Sequence, residues 1–220
     1  MNIKRIPKHI GIIPDGNRRW AEAHGLAKED GYAYGIEPGK KLFEIGFDLG
    51  IQEVSVYAFT QENTHRNRKQ IVAFQNACVK FIDWVKDKDV SILVVGDSDS
   101  TLFPEELKKY TEPEKFRNEK KRLNFLVNYS WKWDLSMISF NTGNKPQDKQ
   151  NILKGVGSHW VSRIDLIIRW GGRRRLSGFL PLQSAYADIF VIDTFWPDFK
   201  PQQFFEALHW YETQEITLGG

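Results

Sequence analysis

A single cysteine, Cys78, occurs in this chain, which excludes an intrachain disulfide framework and a thiolate-rich metal site. No run approaches the roughly 18 apolar residues of a bilayer-spanning helix, and the N-terminus lacks the apolar stretch of a secretory signal. The expectation is a cytoplasmic protein with no transmembrane segment. Charge of one sign is also missing: 31 basic against 28 acidic side chains leave +3 over 220 residues, too little to call for a nucleic-acid partner on composition. The five histidines, His9, His24, His65, His159 and His209, lie far apart and lack zinc-ligand spacing. There is no Walker loop, nucleophile elbow or dinucleotide fingerprint, and no internal repeat.

Aromatic side chains, by contrast, are plentiful, with eight Trp, seven Tyr and fifteen Phe, and a chain of this length can bury about 70% of its unfolded surface. Both argue for a packed core and for one domain over residues 1–220. Short apolar runs read as six strands: His9–Ile13, Glu53–Phe59, Val90–Val95, Leu123–Asn128, Ile164–Arg169 and Asp188–Ile192. Most are continuous, as in strands covered on both faces. Helical stripes lie between them. Leu42, Ile45 and Leu49 form one, with Pro38 near its start and Gly50 as its stop. Ile71, Phe74, Cys78, Phe81 and Val85 form a second, and Phe204, Leu208 and Tyr211 a third. Each reads as a packing face, although Phe43 and Phe47 could instead line an apolar substrate cavity. The alternation predicts an α/β fold with an open, mainly parallel six-stranded sheet and helices on both faces. The polar stretches Asp97–Glu119 and Asn141–Asn151 read as excursions rather than linkers.

Four constellations could carry chemistry. Asp15-Gly16-Asn17-Arg18-Arg19-Trp20 follows the first strand, where ligands gather in open α/β sheets. Asp15 offers hard oxygen to Mg²⁺, Gly16 permits close backbone approach, and Arg19 adds a charged fork. The same residues also make an ordinary turn and helix cap. Arg169-Trp170-Gly171-Gly172-Arg173-Arg174-Arg175-Leu176-Ser177 ends another strand. Its arginines suit a small anionic ligand, a solvated loop, or nucleic-acid phosphate; compactness and modest net charge favour the first. Tyr57 to Asn63 ends the second strand, where Glu62 and Asn63 could orient substrate or cap a helix. Asp188 opens the last strand and is a possible second metal carboxylate.

The order and spacing of these segments resemble the cis-prenyltransferase, or undecaprenyl diphosphate synthase, family. The anchors are Pro7-Lys8-His9, Asp15 to Ala21, Tyr57 to Asn63, Asp165 to Gly172, Arg175 to Leu180 and Trp196-Pro197-Asp198-Phe199. The resemblance implies a Mg²⁺-dependent homodimeric enzyme acting on small-molecule allylic diphosphates beside an apolar tunnel. It implies metal binding by Asp15 and Asp188, and catalytic roles for Asp15 and Asn63. It implies a first diphosphate site at Gly16, Asn17, Arg18, Arg19 and Trp20, and a second at Arg169, Arg175 and Ser177.

Departures from the family pattern are informative. Lys28 and Tyr32 stand where Arg and His are usual in the first site. Thr64 replaces a Trp, Trp170 replaces a Thr, and Asn128-Tyr129-Ser130-Trp131-Lys132 replaces Asn-Tyr-Gly-Gly-Arg. The usual arginine-rich C-terminal tail is absent from Glu212 to Gly220. A bulky Trp170 and a missing tail suggest a modified second site. They point to the lavandulyl and cyclolavandulyl diphosphate synthase branch, which joins two dimethylallyl diphosphates head to middle. Ordinary short-chain cis elongation with isopentenyl diphosphate is the alternative, and a noncatalytic partner subunit a third.

Overall fold

The computed structural model describes residues 3–112, 120–142 and 149–215. Six strands, β1 (His9–Ile13), β2 (Glu53–Thr60), β3 (Ser91–Val95), β4 (Arg122–Tyr129), β5 (Leu166–Arg169) and β6 (Asp188–Val191), form one sheet in the order β3-β4-β2-β1-β5-β6. Every pairing is parallel. The expected α/β architecture is therefore observed, with strand limits moved by one or two residues. Val90, Ile164 and Ile192 fall outside their strands, and Tyr129 falls inside β4.

The central strands are apolar throughout because both faces are covered. Alternate residues feed two cores: Ile10, Ile12, Leu166 and Ile168 pack on one side, Ile13 and Ile167 on the other. The first side is covered by α3 (Ile36–Asp48), α4 (Arg68–Val85) and α7 (Pro201–Glu212), which bury Phe43, Phe81 and Phe204. These are the three helices that the stripes mark. Pro38 lies in the first turn of α3, where its missing N–H costs nothing. Gly50 follows that helix at φ 95°, a left-handed stop. On the second side Trp133 of α5 (Trp131–Thr142) packs on the core, and α5 contacts α6 (Lys149–Gly155). Two short helices, α1 (Asn17–Ala23) and α2 (Gly31–Tyr34), sit at the C-terminal rim of the sheet. The excursion after Asp97 contains a 3₁₀ turn at Glu105–Tyr110; its residues 113–119, and 143–148 of the second excursion, lie outside the described residues.

From β1 the chain crosses to β2 on one side and later returns to β5 on the other. Strand order reverses at β1, and ligands of open α/β sheets bind outside the carboxyl ends at such a point.

Candidate active site

Register brings the two strongest sequence segments together. Ile13 at the end of β1 pairs with Arg169 at the end of β5, so the loop after β1 lies over the guanidinium. Asp15 accepts from Arg169 at 2.8 Å and faces Arg19 at 3.2 Å. The Arg169 side chain is only 4% exposed, against 32% for Asp15. The pair is thus anchored below and open above. Gly171, at φ 82°, makes this contact possible: a Cβ there would lie 2.6 Å from Arg19 Nη2 and 2.9 Å from the Asp15 carbonyl oxygen. Gly16, at φ 109°, turns the chain into α1 where a Cβ would strike the Phe195 ring at 2.8 Å.

Arg169 also organises the other wall. It donates to Ser177 Oγ at 3.0 Å and to the Arg175 carbonyl. Its Nε is buried without a partner. Ser177 lies in the left-handed region at φ 55°, and Tyr57 donates to its carbonyl oxygen at 2.8 Å. Above this frame opens a cleft of about 720 Å³. Seven cationic side chains (Arg18, Arg19, Lys28, Arg66, Arg169, Arg173 and Arg175) line it with three carboxylates (Asp15, Glu22 and Glu62). Glu22 is held by Lys28 at 2.9 Å. Such a surplus of forked donors suits diphosphate oxygens. Asn63 and Ser177 line the same cleft.

Beneath the cleft is an apolar cavity of about 70 Å³, lined by Leu42, Phe43, Phe74, Cys78, Phe81 and Phe125 among others. Pro14, Asn17, Tyr32, Ala58 and Phe74 line both spaces and form a collar between them. Tyr32 stacks on Phe74 with centroids 4.5 Å apart. Arg66 lies over both rings and donates to the Tyr32 hydroxyl at 2.8 Å. Burial lowers the affinity of Arg66 for its proton and raises that of the Tyr32 phenol, whose ionisation Arg66 partly favours. The site is therefore amphipathic, with a polar head chamber over an apolar tail chamber.

Several expected site residues fall elsewhere. Trp20 leaves the cleft, stacks on His24 at 4.2 Å and donates to Asp198 at 2.7 Å; it fastens α1 to the segment before α7. Trp170 is fully buried and does not reach the cleft. Its ring packs on Trp196 at 4.9 Å and Phe199 at 5.7 Å, and its indole N–H donates to Gln203 of α7 at 3.1 Å. Successive side chains of an extended chain take opposite faces, so if Arg169 enters the cleft its neighbour cannot. The modified second site expected from Trp170 is corrected accordingly. Phe47 packs edge to face against Phe43 at 4.3 Å and does not line the cavity. Asp188 pairs with Leu166 at the opposite end of β5 from Arg169, so it shares no site with Asp15 within one chain. Conversely, Arg66 and the α4 residues Phe74, Cys78 and Phe81 belong to the site without being marked as such, and Tyr57 lies inside a marked segment that assigns it no role of its own. Phe74 to Phe81 carry the same helical period as core residues, and nothing in the sequence brings Arg66 to the collar.

Among the described residues no three His, Cys, Asp or Glu side chains converge on a common point. Mg²⁺ keeps several waters and binds through one or two carboxylates plus substrate phosphates rather than an all-protein cage. A part-exposed Asp15 in a basic, phosphate-sized cleft fits that mode; it does not fit a zinc or calcium cage.

Residues 13–219 match a family described as "Putative undecaprenyl diphosphate synthase". An isoprenyl transferase of Leptospira interrogans is 31% identical over 234 residues, covering 98% of this chain and 95% of the relative. A ditrans,polycis-undecaprenyl-diphosphate synthase of Buchnera aphidicola is 32% identical over 239 residues, with 100% and 95% covered. In fold, the chain matches the crystal structure of lavandulyl diphosphate synthase from Lavandula x intermedia in complex with dimethylallyl diphosphate. The TM-score is 0.85 at 22% identity, over 97% of this chain and 98% of that one.

Proposed function

The chain belongs to the undecaprenyl diphosphate synthase, or cis-prenyltransferase, family, and from that premise we propose that it condenses two dimethylallyl diphosphates head to middle into an irregular ten-carbon diphosphate of lavandulyl or cyclolavandulyl type. Family membership carries the coarser statement, a Mg²⁺-dependent condensation of allylic diphosphates. The observation that carries the finer one is the size of the tail chamber. At about 70 Å³ it is small, which favours a short isoprenoid tail over a long polyprenyl chain. The changed segment Asn128 to Lys132 supports the same reading.

In the first site Asp15 would hold Mg²⁺, which when bound would act as a Lewis acid toward the leaving diphosphate. Arg19, Lys28 and Arg66 supply fixed positive charge for the departing group. The C–O bond breaks toward an allylic cation at the collar. There the faces of Tyr32 and Phe74 favour positive charge, and the apolar chamber keeps water away. Arg169, Arg175 and Ser177 hold the second diphosphate so that its double bond attacks. The tertiary cation then loses a methyl proton to a diphosphate oxygen, with Asn63 steering it, which gives the lavandulyl skeleton. The cyclic skeleton follows if that proton is returned to the remaining trisubstituted double bond, the new methylidene attacks the resulting tertiary cation to close a six-membered ring, and a ring proton is lost. The homodimer implied by the family is part of this proposal, and exposed Tyr186 and Ile189 at the edge of β6 offer apolar surface for it.

Purified protein is incubated with Mg²⁺ and dimethylallyl diphosphate, with and without isopentenyl diphosphate, and dephosphorylated products are identified by mass spectrometry. An irregular C10 alcohol from dimethylallyl diphosphate alone is expected. A product that forms only when isopentenyl diphosphate is added refutes the head-to-middle reading in favour of cis elongation. Turnover of neither substrate marks a noncatalytic partner.

A further inference from the structure

We propose that the Tyr57 hydroxyl is a positioning group for the second diphosphate: it holds the Ser177 backbone in its left-handed turn, so that Ser177 Oγ and the Arg169 guanidinium face the cleft together. The inference rests on the reading above, in which Arg169, Arg175 and Ser177 cradle that diphosphate.

Ser177 has a side chain, yet its φ is 55°. That region is unfavourable for any residue with a Cβ unless the surroundings enforce it. Ser177 is itself exposed, so its own packing does not enforce the turn. Three hydrogen bonds from two residues do. From β5, Arg169 donates to Ser177 Oγ at 3.0 Å and to the Arg175 carbonyl. From β2, Tyr57 donates to the Ser177 carbonyl oxygen at 2.8 Å. Arg169 is a ligand-facing group and must share its donors with substrate. Tyr57 directs its proton to the backbone and keeps the turn in place while Arg169 engages the ligand.

The phenol is well placed for this. Tyr57 is 7% exposed, and its ring is clamped by Phe179 at 5.2 Å and Tyr129 at 6.1 Å. Burial, reinforced by Glu62, pushes its proton loss far above the ordinary phenol range, so it donates at every working pH. Ring packing alone would be met by phenylalanine. The hydroxyl adds only the bond to Ser177, which makes Tyr57→Phe a clean probe.

Calorimetric titration of the full chain with inorganic pyrophosphate in Mg²⁺-free buffer reads the arginine–serine cradle as the component that Arg175→Ala removes, since Arg19, Lys28 and Arg66 line the same cleft. Tyr57→Phe is expected to weaken that binding about fivefold to tenfold, the equivalent of one ordinary hydrogen bond. Thermal midpoint and kcat stay near wild type, and the apparent KM for dimethylallyl diphosphate rises. Ser177→Gly has glycine's freedom at φ 55° and no hydroxyl to aim, so adding Tyr57→Phe to it produces no further loss. Wild-type pyrophosphate affinity in Tyr57→Phe, penalties that simply add in the double variant, or a fall in kcat at unchanged KM each overturn the inference. Pyrophosphate binding that is indifferent to Arg175→Ala overturns the underlying reading instead.

Discussion

At the N-terminal ends of the strands, His9, Glu53, Ser55, Asn124 and Ser162 form a closed network. The His9 ring contacts Ser55 Oγ at 2.8 Å and Ser162 Oγ at 3.0 Å. Glu53 accepts from Asn124 at 2.7 Å and from the Ser162 hydroxyl at 2.7 Å. Asp165 accepts the Lys8 and His9 amides at 2.9 and 3.0 Å. At the C-terminal ends, Asp15, Arg169 and Ser177 are also linked, but the arrangement is left unfinished. Among the described residues, the buried side-chain atoms without partners include Asn17 Oδ1 and Arg169 Nε at this rim, and none from the five residues of the opposite network. Around the rim Gly16, Gly171, Gly172 and Ser177 are all at positive φ, Ser177 alone of these with a side chain. A polar group whose partners are all protein serves the fold. A polar group held in place with donors to spare is available to a ligand.

Breaking the comparison at the rim should cost activity and leave the fold alone. Asp15→Asn keeps the shape and removes the charge that holds the metal. Turnover should fall about a thousandfold, with the thermal midpoint moved by no more than about 2 °C, as for a surface substitution. Equal losses of activity and stability would erase the distinction between the two ends. Trp170→Thr is the contrasting case, a rim residue by sequence that packs as core. Deleting an indole with this burial should destabilise the chain by about 3–5 kcal/mol, or about 10 °C in thermal midpoint. Substrate choice at permissive temperature should not change. A gain of isopentenyl diphosphate use in Trp170→Thr would show that the side chain reaches the second site after all.

The smallest effect belongs to the far network. Burial lowers the His9 pKa below its usual 6.5 despite the nearby Glu53 carboxylate. The unfolded chain therefore takes up this proton more readily than the folded one, and stability is lost as pH falls below about 6.5. Burial would raise the Glu53 carboxyl, but His9 and the Ser162 and Asn124 hydrogen bonds outweigh it and hold the carboxyl below 4.5. Its contribution is present above that value and fades as pH drops through it, adding to the same trend. The thermal midpoint should decline from pH 7 to pH 5 and more steeply below pH 4.5. A midpoint that is flat or rises toward acid would contradict the buried-network description.

The sheet is legible in the sequence because apolar runs covered on both faces look alike wherever they occur, and six of them are present. The parallel order is not written in those runs; it comes from which strand each crossover returns to. At the site, Asp15 and the Arg169–Ser177 segment stand out because glycines, arginines and a carboxylate follow strand ends. Trp170 misleads because sequence adjacency to Arg169 says nothing about which face it takes. Asp188 misleads because it opens its strand, and parallel strands open at the rim opposite the site. Phe74 and Phe81 pass as core because a cavity wall and a packing face share one helical period. Arg66 and Tyr57 emerge only when distant segments meet, Tyr57 with Ser177 and Arg66 with Tyr32. Helix α5 carries no clear stripe, since Trp131 is exposed while Asp134 is buried, and a buried aspartate bound by Tyr129 and Ser158 has no signature in periodicity.

The most direct measurement is a crystal structure with Mg²⁺ and the unreactive thiolo analogue of dimethylallyl diphosphate. One diphosphate should lie against Asp15 and Arg19 with its tail in the chamber under Tyr32 and Phe74, and a second against Arg169, Arg175 and Ser177, in one continuous cleft. Density for the analogue at only one of these positions, or with its tail outside the chamber under Phe74, would contradict the account.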